Sequence, residues 1–167
     1  MKWRRIIFTS LLSVSWVLFA GSAKQYHAMA AEPADLLRDF GRDQLVVITA
    51  SRCIRFDVYV AHNRQQRAQG LMYIRSMAMD EGMIFLYPEP VQISMWMKNT
   101  LISLDMIFVA ADFSIAKIIR LTEPMSESIL DSEHYVQSVL ELNGGAADYF
   151  GIREGDQLIF PAAGVTN

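Results

Sequence analysis

The chain has 167 residues, of which 52% are hydrophobic and 20% are charged. That length is too short for two ordinary domains beside a leader, and that composition argues against disorder. The formal net charge is −3, and loss of a basic leader, argued below, would leave a domain acidic enough to be a poor electrostatic partner for nucleic acid or for an anionic membrane.

The first 30 residues have the pattern of a secretory signal peptide. Basic residues at positions 2, 4 and 5 precede an apolar run over 6–20, and Ala28-Met29-Ala30 has the A-x-A form that signal peptidase accepts. An uncleaved membrane anchor is the alternative, but the run is shorter than the ~20 residues that span a bilayer. We expect cleavage after Ala30, with Ala23 as the second choice, and no membrane span afterwards.

Cleavage after Ala30 would make the mature protein more acidic than the full chain. It would remove four of the 15 basic residues and no acidic residue, which leaves 11 basic against 18 acidic side chains and a net charge of −7. We expect the mature protein in the periplasm or outside the cell. We divide the chain into a signal peptide at 1–30, a flexible lead-in at 31–44, one β-rich domain at 45–162 and a tail at 163–167.

Alternation of apolar and polar residues predicts strands through most of the domain. The predicted strands lie near residues 45–50, 53–60, 83–87, 91–98, 104–110, 115–121, 135–142 and 157–160. Two short helices interrupt them. One begins after Asn63, which forms a capping-box pattern with Gln66, and stops at Gly70; the other lies between Asn143 and Gly151. This pattern predicts a mostly β fold, an antiparallel sandwich or barrel with two short helices.

Cys53 is the only cysteine. The chain therefore has no intrachain disulfide, even though export would permit one. A redox role and an intermolecular disulfide are open alternatives. A small buried apolar side chain is the commoner role for such a residue, so we expect Cys53 in the core.

The segment from Trp96 to Thr100 is the densest in side chains suited to binding. If it continues a strand, Trp96 and Lys98 share one face with polar neighbours, as an aromatic plate beside hydrogen-bond donors does in many ligand sites. Packing of Trp96 in the core is the alternative. The candidate binding residues of the whole chain are Met72, Trp96, Lys98, Asn99, Thr100, Asp105, Glu141, Arg67 and Arg75.

Two acidic residues stand in apolar strand segments. A carboxylate removed from water needs a partner, so we expect Asp105 to pair with the Lys98–Thr100 region and Glu141 to pair with Arg67 or Arg75. Two such groups could also act as a general acid and base on glycosides. Structural ion pairs are the commoner explanation.

The methionines offer a third possibility. Met95 and Met97 are spaced to place two thioethers on one strand face, and soft ligands of this kind bind cuprous ion. Methionine is also ordinary core filler. The sequence has no zinc pattern, phosphate loop or nucleophile elbow, and we predict no cofactor and no metal.

A series of motifs resembles the family known as domain of unknown function 192, in order from about residue 54 to residue 160. These motifs are Gly70-Leu71-Met72, residues 81–85, Trp96-Met97-Lys98-Asn99-Thr100 with Leu104-Asp105, residues 139–142 with Gly144, Gly151-Ile152 and Gly155-Asp156. The sequence departs from the family where Ile74 replaces an arginine, with Arg75 next to it, and where Ser103 replaces a proline.

The resemblance implies a small, β-rich, often exported domain with no established activity. It adds weight to Met72, Trp96, Asp105 and Glu141 as site candidates, whereas the Ile74 departure weakens any site that needs that arginine. The sequence therefore predicts a non-catalytic binding or accessory domain for a small polar or envelope-derived ligand. A hydrolase of envelope saccharides that uses Asp105 and Glu141 is the alternative.

Overall fold

The computed structural model describes residues 33–160. The predicted signal peptide and the predicted tail at 163–167 lie outside the described residues. The elements are α1 (Pro33–Leu36), β1 (Gly41–Ile48), β2 (Cys53–Ala61), α2 (Arg64–Gln69), β3 (Glu81–Met95), β4 (Leu104–Val109), β5 (Ile115–Ile119), β6 (Leu130–Asn143), α3 (Ala146–Phe150) and β7 (Gln157–Ile159).

The strands form one sheet of seven in the order β5-β4-β6-β3-β2-β1-β7. The two edges of this sheet also meet, because Ser114 and Gln157 form a β-bridge and the Ile115 amide donates to the Asp156 carbonyl at 2.8 Å. The sheet is therefore a nearly closed barrel, which confirms the predicted mostly β class. Within residues 33–160, no helix is long and apolar enough to cross a membrane.

The buried apolar residues divide into two layers. The inner core fills the barrel, takes residues from every strand and includes Phe56, Ile107 and Leu140. The outer core covers the β3-β6-β4 face from outside and includes Met83 and Phe108, with α1 and the segments around Leu71 and Met97 packed over it. Because side chains alternate along a strand, neighbouring residues of β4 and β6 contribute to opposite layers.

Two features depart from a simple antiparallel arrangement. β2 and β3 are parallel, because residues 62–80, which include α2, cross over between them. β3 is a single strand that runs through Pro88 and Pro90, where two strands were expected. Its pairing with β6 shifts register between Leu86 and Val91, so the missing proline N–H groups fall at an irregularity of the ladder.

Gly82 allows β3 and β6 to approach each other closely. A Cβ at this position would lie 2.5 Å from the carbonyl oxygen of Glu141, which is closer than van der Waals contact permits. Only glycine fits there without displacing the backbone. The two strands that flank the candidate site are therefore packed directly against each other.

The start of β1 and the location of Cys53 differ from expectation. β1 begins at Gly41, within the predicted lead-in, where cross-strand contacts such as Gln44 Nε2 to Asp57 Oδ1 at 2.7 Å join polar residues. Such polar pairs leave no hydrophobic signal. The expectation that Cys53 is buried was wrong: it is exposed, because alternation turns Ile54 and Phe56 inward and leaves Cys53 outward.

Candidate functional site

A cavity of about 260 Å³ lies outside the barrel, over the outer face of β3 and β6. Its first wall is α2 with the Gly70–Met72 turn, its second is the end of β3 with the following loop, and Glu141 of β6 contributes between them. The volume is somewhat below that of pockets for drug-sized ligands. A small ligand fits such a space.

The α2 wall is positioned by its caps and by two glutamines. Asn63 and Gln66 form the predicted capping box, and Gln66 Nε2 also donates to the Asp39 carbonyl at 2.8 Å. Gln69 Nε2 donates to the Leu36 carbonyl at 2.6 Å. Arg64 and Arg67 are three residues apart, so they lie next to each other on one face of α2. Both line the cavity.

Arg67 is held by backbone and by an aromatic ring. Its Nη1 donates to the carbonyls of His62 and Leu86, each at 2.9 Å. Its Cζ lies 4.8 Å from the centroid of the Tyr87 ring, within the range of a cation–π contact. Burial raises the pKa of Tyr87, while the Arg67 charge opposes that rise and Glu141 adds to it. These groups therefore form one electrostatic cluster.

The second wall carries the predicted Trp-Lys pair. β3 ends at Met95, so Trp96 and Lys98 lie in a loop and not on a strand. Trp96 is 47% exposed at the rim, which excludes it from the core. Lys98 Nζ lies 5.4 Å from the Trp96 ring centroid and 3.5 Å from Glu127 Oε1. Thr100 lines the cavity as a buried hydroxyl.

Two left-handed residues join the walls. Tyr73 has φ 66° and Asn99 has φ 57°, and the Tyr73 amide donates to the Asn99 carbonyl at 2.9 Å. Asn99 Nδ2 lies 3.8 Å from the Met72 sulfur. A bulky residue in the left-handed region stores strain, and the surrounding contacts hold it here. Asn99 therefore positions the wall, while Met72 faces the cavity.

Glu141 is the most unusual group in the site. Its side chain is on the outer face, since Glu141 pairs with Met106 of the outer core, and it is 4% exposed. Neither Arg67 nor Arg75 forms the expected salt bridge, and within residues 33–160 the carboxyl group has no ion-pair partner. Burial raises its pKa to about 8. At pH 7 the group is therefore mostly protonated and able to donate a hydrogen bond.

Asp105 lies elsewhere, and the expected pairing with Lys98, Asn99 or Thr100 was wrong. It pairs with Leu142 of the inner core, so its side chain points to the face opposite Glu141. Its two oxygens accept hydrogen bonds from the backbone amides of Leu121 and Ala147, both at 2.8 Å. An acid/base pair of Asp105 and Glu141 across one cleft is therefore contradicted.

The remaining predicted candidates also include residues that lie away from the cavity. Arg75 is exposed and does not line the cavity. Met97 is buried in the outer core, and the Thr122 hydroxyl contacts its sulfur at 3.2 Å, which removes the pair of exposed thioethers that cuprous ion would need. Residues 33–160 also contain no cluster of three His, Cys, Asp or Glu side chains suited to a metal.

Several lining residues were not among the candidate binding residues, among them Arg64, Tyr87 and Ser94, and Met95 was considered only as a copper ligand. Arg64 could have been found, because it lies one helical turn before Arg67 on the predicted helix. Tyr87 was hidden by the following prolines, which indicated the end of a strand. The cavity as a whole depends on the crossover that places α2 against β3, and the local sequence pattern does not show this.

Comparison with known proteins identifies the family. Residues 46–160 match the family model DUF192, described as "Uncharacterized ACR". The chain belongs to this family. Among the curated proteins, none matches the sequence.

Two solved structures resemble the chain in both sequence and fold. A Sinorhizobium meliloti 1021 protein, described as a candidate transcription regulator, is 44% identical with a TM-score of 0.71, over 72% of this chain and 94% of its own. A Novosphingobium aromaticivorans DSM 12444 protein of unknown function is 32% identical with a TM-score of 0.73, over 84% of this chain and 100% of its own. The fold is therefore shared with these two proteins, at 32–44% sequence identity.

Proposed function

We propose that this DUF192 chain is an exported, non-catalytic binding domain whose outer cavity takes a small polar ligand from the cell envelope. The observation that carries the proposal is Glu141, a nearly fully buried carboxyl group that lines a cavity and has no ion-pair partner in the described part of the chain. Burying such a group without a partner is costly. A ligand that hydrogen-bonds to it would remove that cost.

Hydrogen-bond accounting indicates that the Glu141 carboxyl group is open to the cavity, where water or a ligand can bond to it. Among the described residues, every fully enclosed side-chain nitrogen or oxygen has a hydrogen-bond partner. Polar groups without protein partners are therefore confined to places that solvent or a ligand can reach. Glu141 is such a group, and the lining adds a rim aromatic, two arginines and a buried hydroxyl, a mixture typical of small-ligand sites.

The lining favours binding over glycoside hydrolysis. Two-carboxylate hydrolysis needs a second acid within about 5–9 Å of the first, across the scissile bond. Glu141 is the single acidic residue among those that line the cavity. Asp105 is bonded to two amides on the other face, so it is not available as the partner acid.

A ligand screen with a cavity-blocking variant tests the binding proposal. We expect at least one of a set of monosaccharides, amino sugars, uronic acids and short peptides to raise the melting temperature of the purified exported protein. Ala68→Phe would place a ring at the cavity wall and abolish that rise, because Ala68 is exposed on α2 and lines the cavity. Gln65→Phe is the matched control, since Gln65 is exposed on the same helix but outside the lining.

Two outcomes would count against binding at this cavity. One is the absence of any thermal shift across the whole set. The other is a shift that Ala68→Phe and Gln65→Phe leave equally intact, which would place the ligand elsewhere on the molecule.

Export has a separate test. We expect the full-length chain, expressed in a Gram-negative host, to appear in the periplasmic fraction with its N-terminus at Ala31, as measured by intact mass. A double substitution of Ala28 and Ala30 by aspartate would block cleavage, because signal peptidase needs small residues there. A full-length product in the cytoplasm would overturn the proposed location and leave the cavity proposal untouched.

A further inference from the structure

The cavity is lined by more basic than acidic groups, although the chain as a whole is acidic. Arg64, Arg67 and Lys98 line it, against the single acid Glu141. The full sequence has 15 basic and 18 acidic residues, so this local excess runs against the average. A concave, partly desolvated surface of one charge attracts ligands of the opposite charge.

The basic groups retain donors for a ligand. Arg67 uses Nη1 on two carbonyls, which fixes the guanidinium and leaves its other nitrogens without a described hydrogen bond. Arg64 forms no salt bridge within residues 33–160. Lys98 is already paired with Glu127 at 3.5 Å. The unpaired positive charge therefore lies on the α2 side of the cavity.

Resting on the proposed function, we propose that the ligand is a small organic acid bound as its carboxylate anion. Its charged group lies against Arg64 and Arg67, and one of its oxygens accepts a hydrogen bond from the Glu141 carboxyl group. Its apolar part lies against Met72, Met95 and Phe85 of the lining. An arginine pair matches the planar, two-oxygen geometry of a carboxylate.

The protonation state of Glu141 gives this assignment a pH signature. Burial raises the pKa of Glu141 to about 8, so the group donates below that pH and repels an anion above it. The charged or titratable groups that line the cavity with it are Arg64 and Arg67 on α2, Tyr87 on β3 and Lys98 in the next loop. β4 places Met106 opposite Glu141. We expect nearly constant affinity between about pH 5 and 7 and a decline above about pH 8.

Ligand triplets that differ only in charge test the assignment. The first is glucuronate, glucose and glucosamine, and the second is benzoate, benzyl alcohol and benzylamine. By calorimetry at pH 6.5 on the purified exported protein, we expect an acid of at least one triplet to bind about tenfold more tightly than its neutral and amine partners. Tighter binding of the neutral or amine members would overturn this inference and leave the proposed function standing. No binding by any member would also overturn this inference, whereas the proposed function is contradicted only when the wider screen described above gives no thermal shift.

Variants separate the two contacts. Arg64→Gln is expected to weaken binding of the preferred acid about tenfold, whereas Arg55→Gln, at an exposed arginine outside the lining, should leave it unchanged. Glu141→Gln replaces the titrating group by a donor that does not ionise in this range, so the decline in affinity above about pH 8 should disappear. Equal effects of Arg64→Gln and Arg55→Gln, or a decline above pH 8 that persists in Glu141→Gln, would overturn the assignment.

Discussion

Asp105 and Glu141 stand in similar sequence contexts but have different roles in the structure. Both are acidic residues in apolar segments of paired strands, β4 and β6, and both are buried. Asp105 points toward the inner core and accepts hydrogen bonds from two backbone amides, each at 2.8 Å. Glu141 points toward the outer layer and meets a cavity. A one-residue difference in register places the two side chains on opposite faces of the sheet. It therefore decides which carboxyl group is structural and which is a candidate binding group.

The partners explain why each carboxyl group is tolerated. The two amides that reach Asp105 come from the segment after β5 and from the first turns of α3, so the side chain ties both to the barrel. Such bonds compensate a buried charge. Glu141 has no such compensation and instead retains its proton. The comparison predicts different responses to mutation and to pH.

The largest expected effect is on Asp105. Asp105→Ala should lower the free energy of unfolding by about 3–5 kcal/mol, because it removes two charge-assisted hydrogen bonds and leaves their amides unpaired. Asp105→Asn keeps one acceptor oxygen and should lose about half as much. Urea unfolding measures both, with the exposed Asp80→Ala as control. If Asp105→Ala unfolds like Asp80→Ala, the assigned structural role is wrong.

The second-largest expected effect is on the pH dependence of stability, and the Glu141 carboxyl group is its cause. Its pKa rises from 4.5 to about 8 on folding, so between these values the folded state holds a proton that the unfolded chain has lost. The stabilisation is fully present below about pH 4.5, and the free energy of unfolding then falls with rising pH and levels off above about pH 8.

Glu141→Gln removes this titration. The variant should match the wild type within about 1 kcal/mol at pH 5 and be about 3–4 kcal/mol more stable at pH 9. Urea unfolding at the two pH values checks this, with the exposed Glu89→Gln as the variant expected to show no such difference. Equal pH profiles for wild type and Glu141→Gln would mean that Glu141 is ionised and paired in solution.

A smaller effect is expected at the rim of the cavity. Trp96→Ala should cost less than about 1 kcal/mol of stability, because the indole is 47% exposed, yet it should remove the ligand-induced thermal shift. Trp96→Phe, which keeps an aromatic face, should retain part of the shift. A stability loss as large as that of Asp105→Ala would make Trp96 a packing residue and not a binding one.

The smallest effect is expected at Cys53, which has no part in the roles assigned to Asp105 and Glu141. Because the thiol is exposed, native protein should react completely with a thiol reagent before unfolding, and Cys53→Ser should change stability by less than about 0.5 kcal/mol. A thiol that reacts only after denaturant is added would contradict its exposure.

The sequence predicts the fold best where one face is buried and the other is not. In β2, Ile54, Phe56 and Val58 alternate with polar neighbours, and the structure confirms this strand and its orientation. α2 was predictable from its capping pair, Asn63 and Gln66. The parallel pairing of β2 with β3 was not, because it depends on how a long crossover packs.

The candidate site was harder to predict, for a physical reason. Every residue of β4 is buried, so alternation gives no indication of which face Asp105 takes. Local patterns did bring Trp96, Lys98 and Glu141 into one hypothesis, and the structure places all three around the cavity. They could not predict that Asp105 is absent from it, since its amide partners come from distant segments.

The two-layer core separates the parts of the molecule that need to stay fixed from those that are free to vary. The barrel is filled by its own side chains, while the residues that line the cavity are supplied mostly by α2, the turn after it and one loop. Under the proposed function, exchange of the segment 64–72 for that of a relative should therefore alter ligand preference without repacking the barrel interior, so that one scaffold accommodates different ligands.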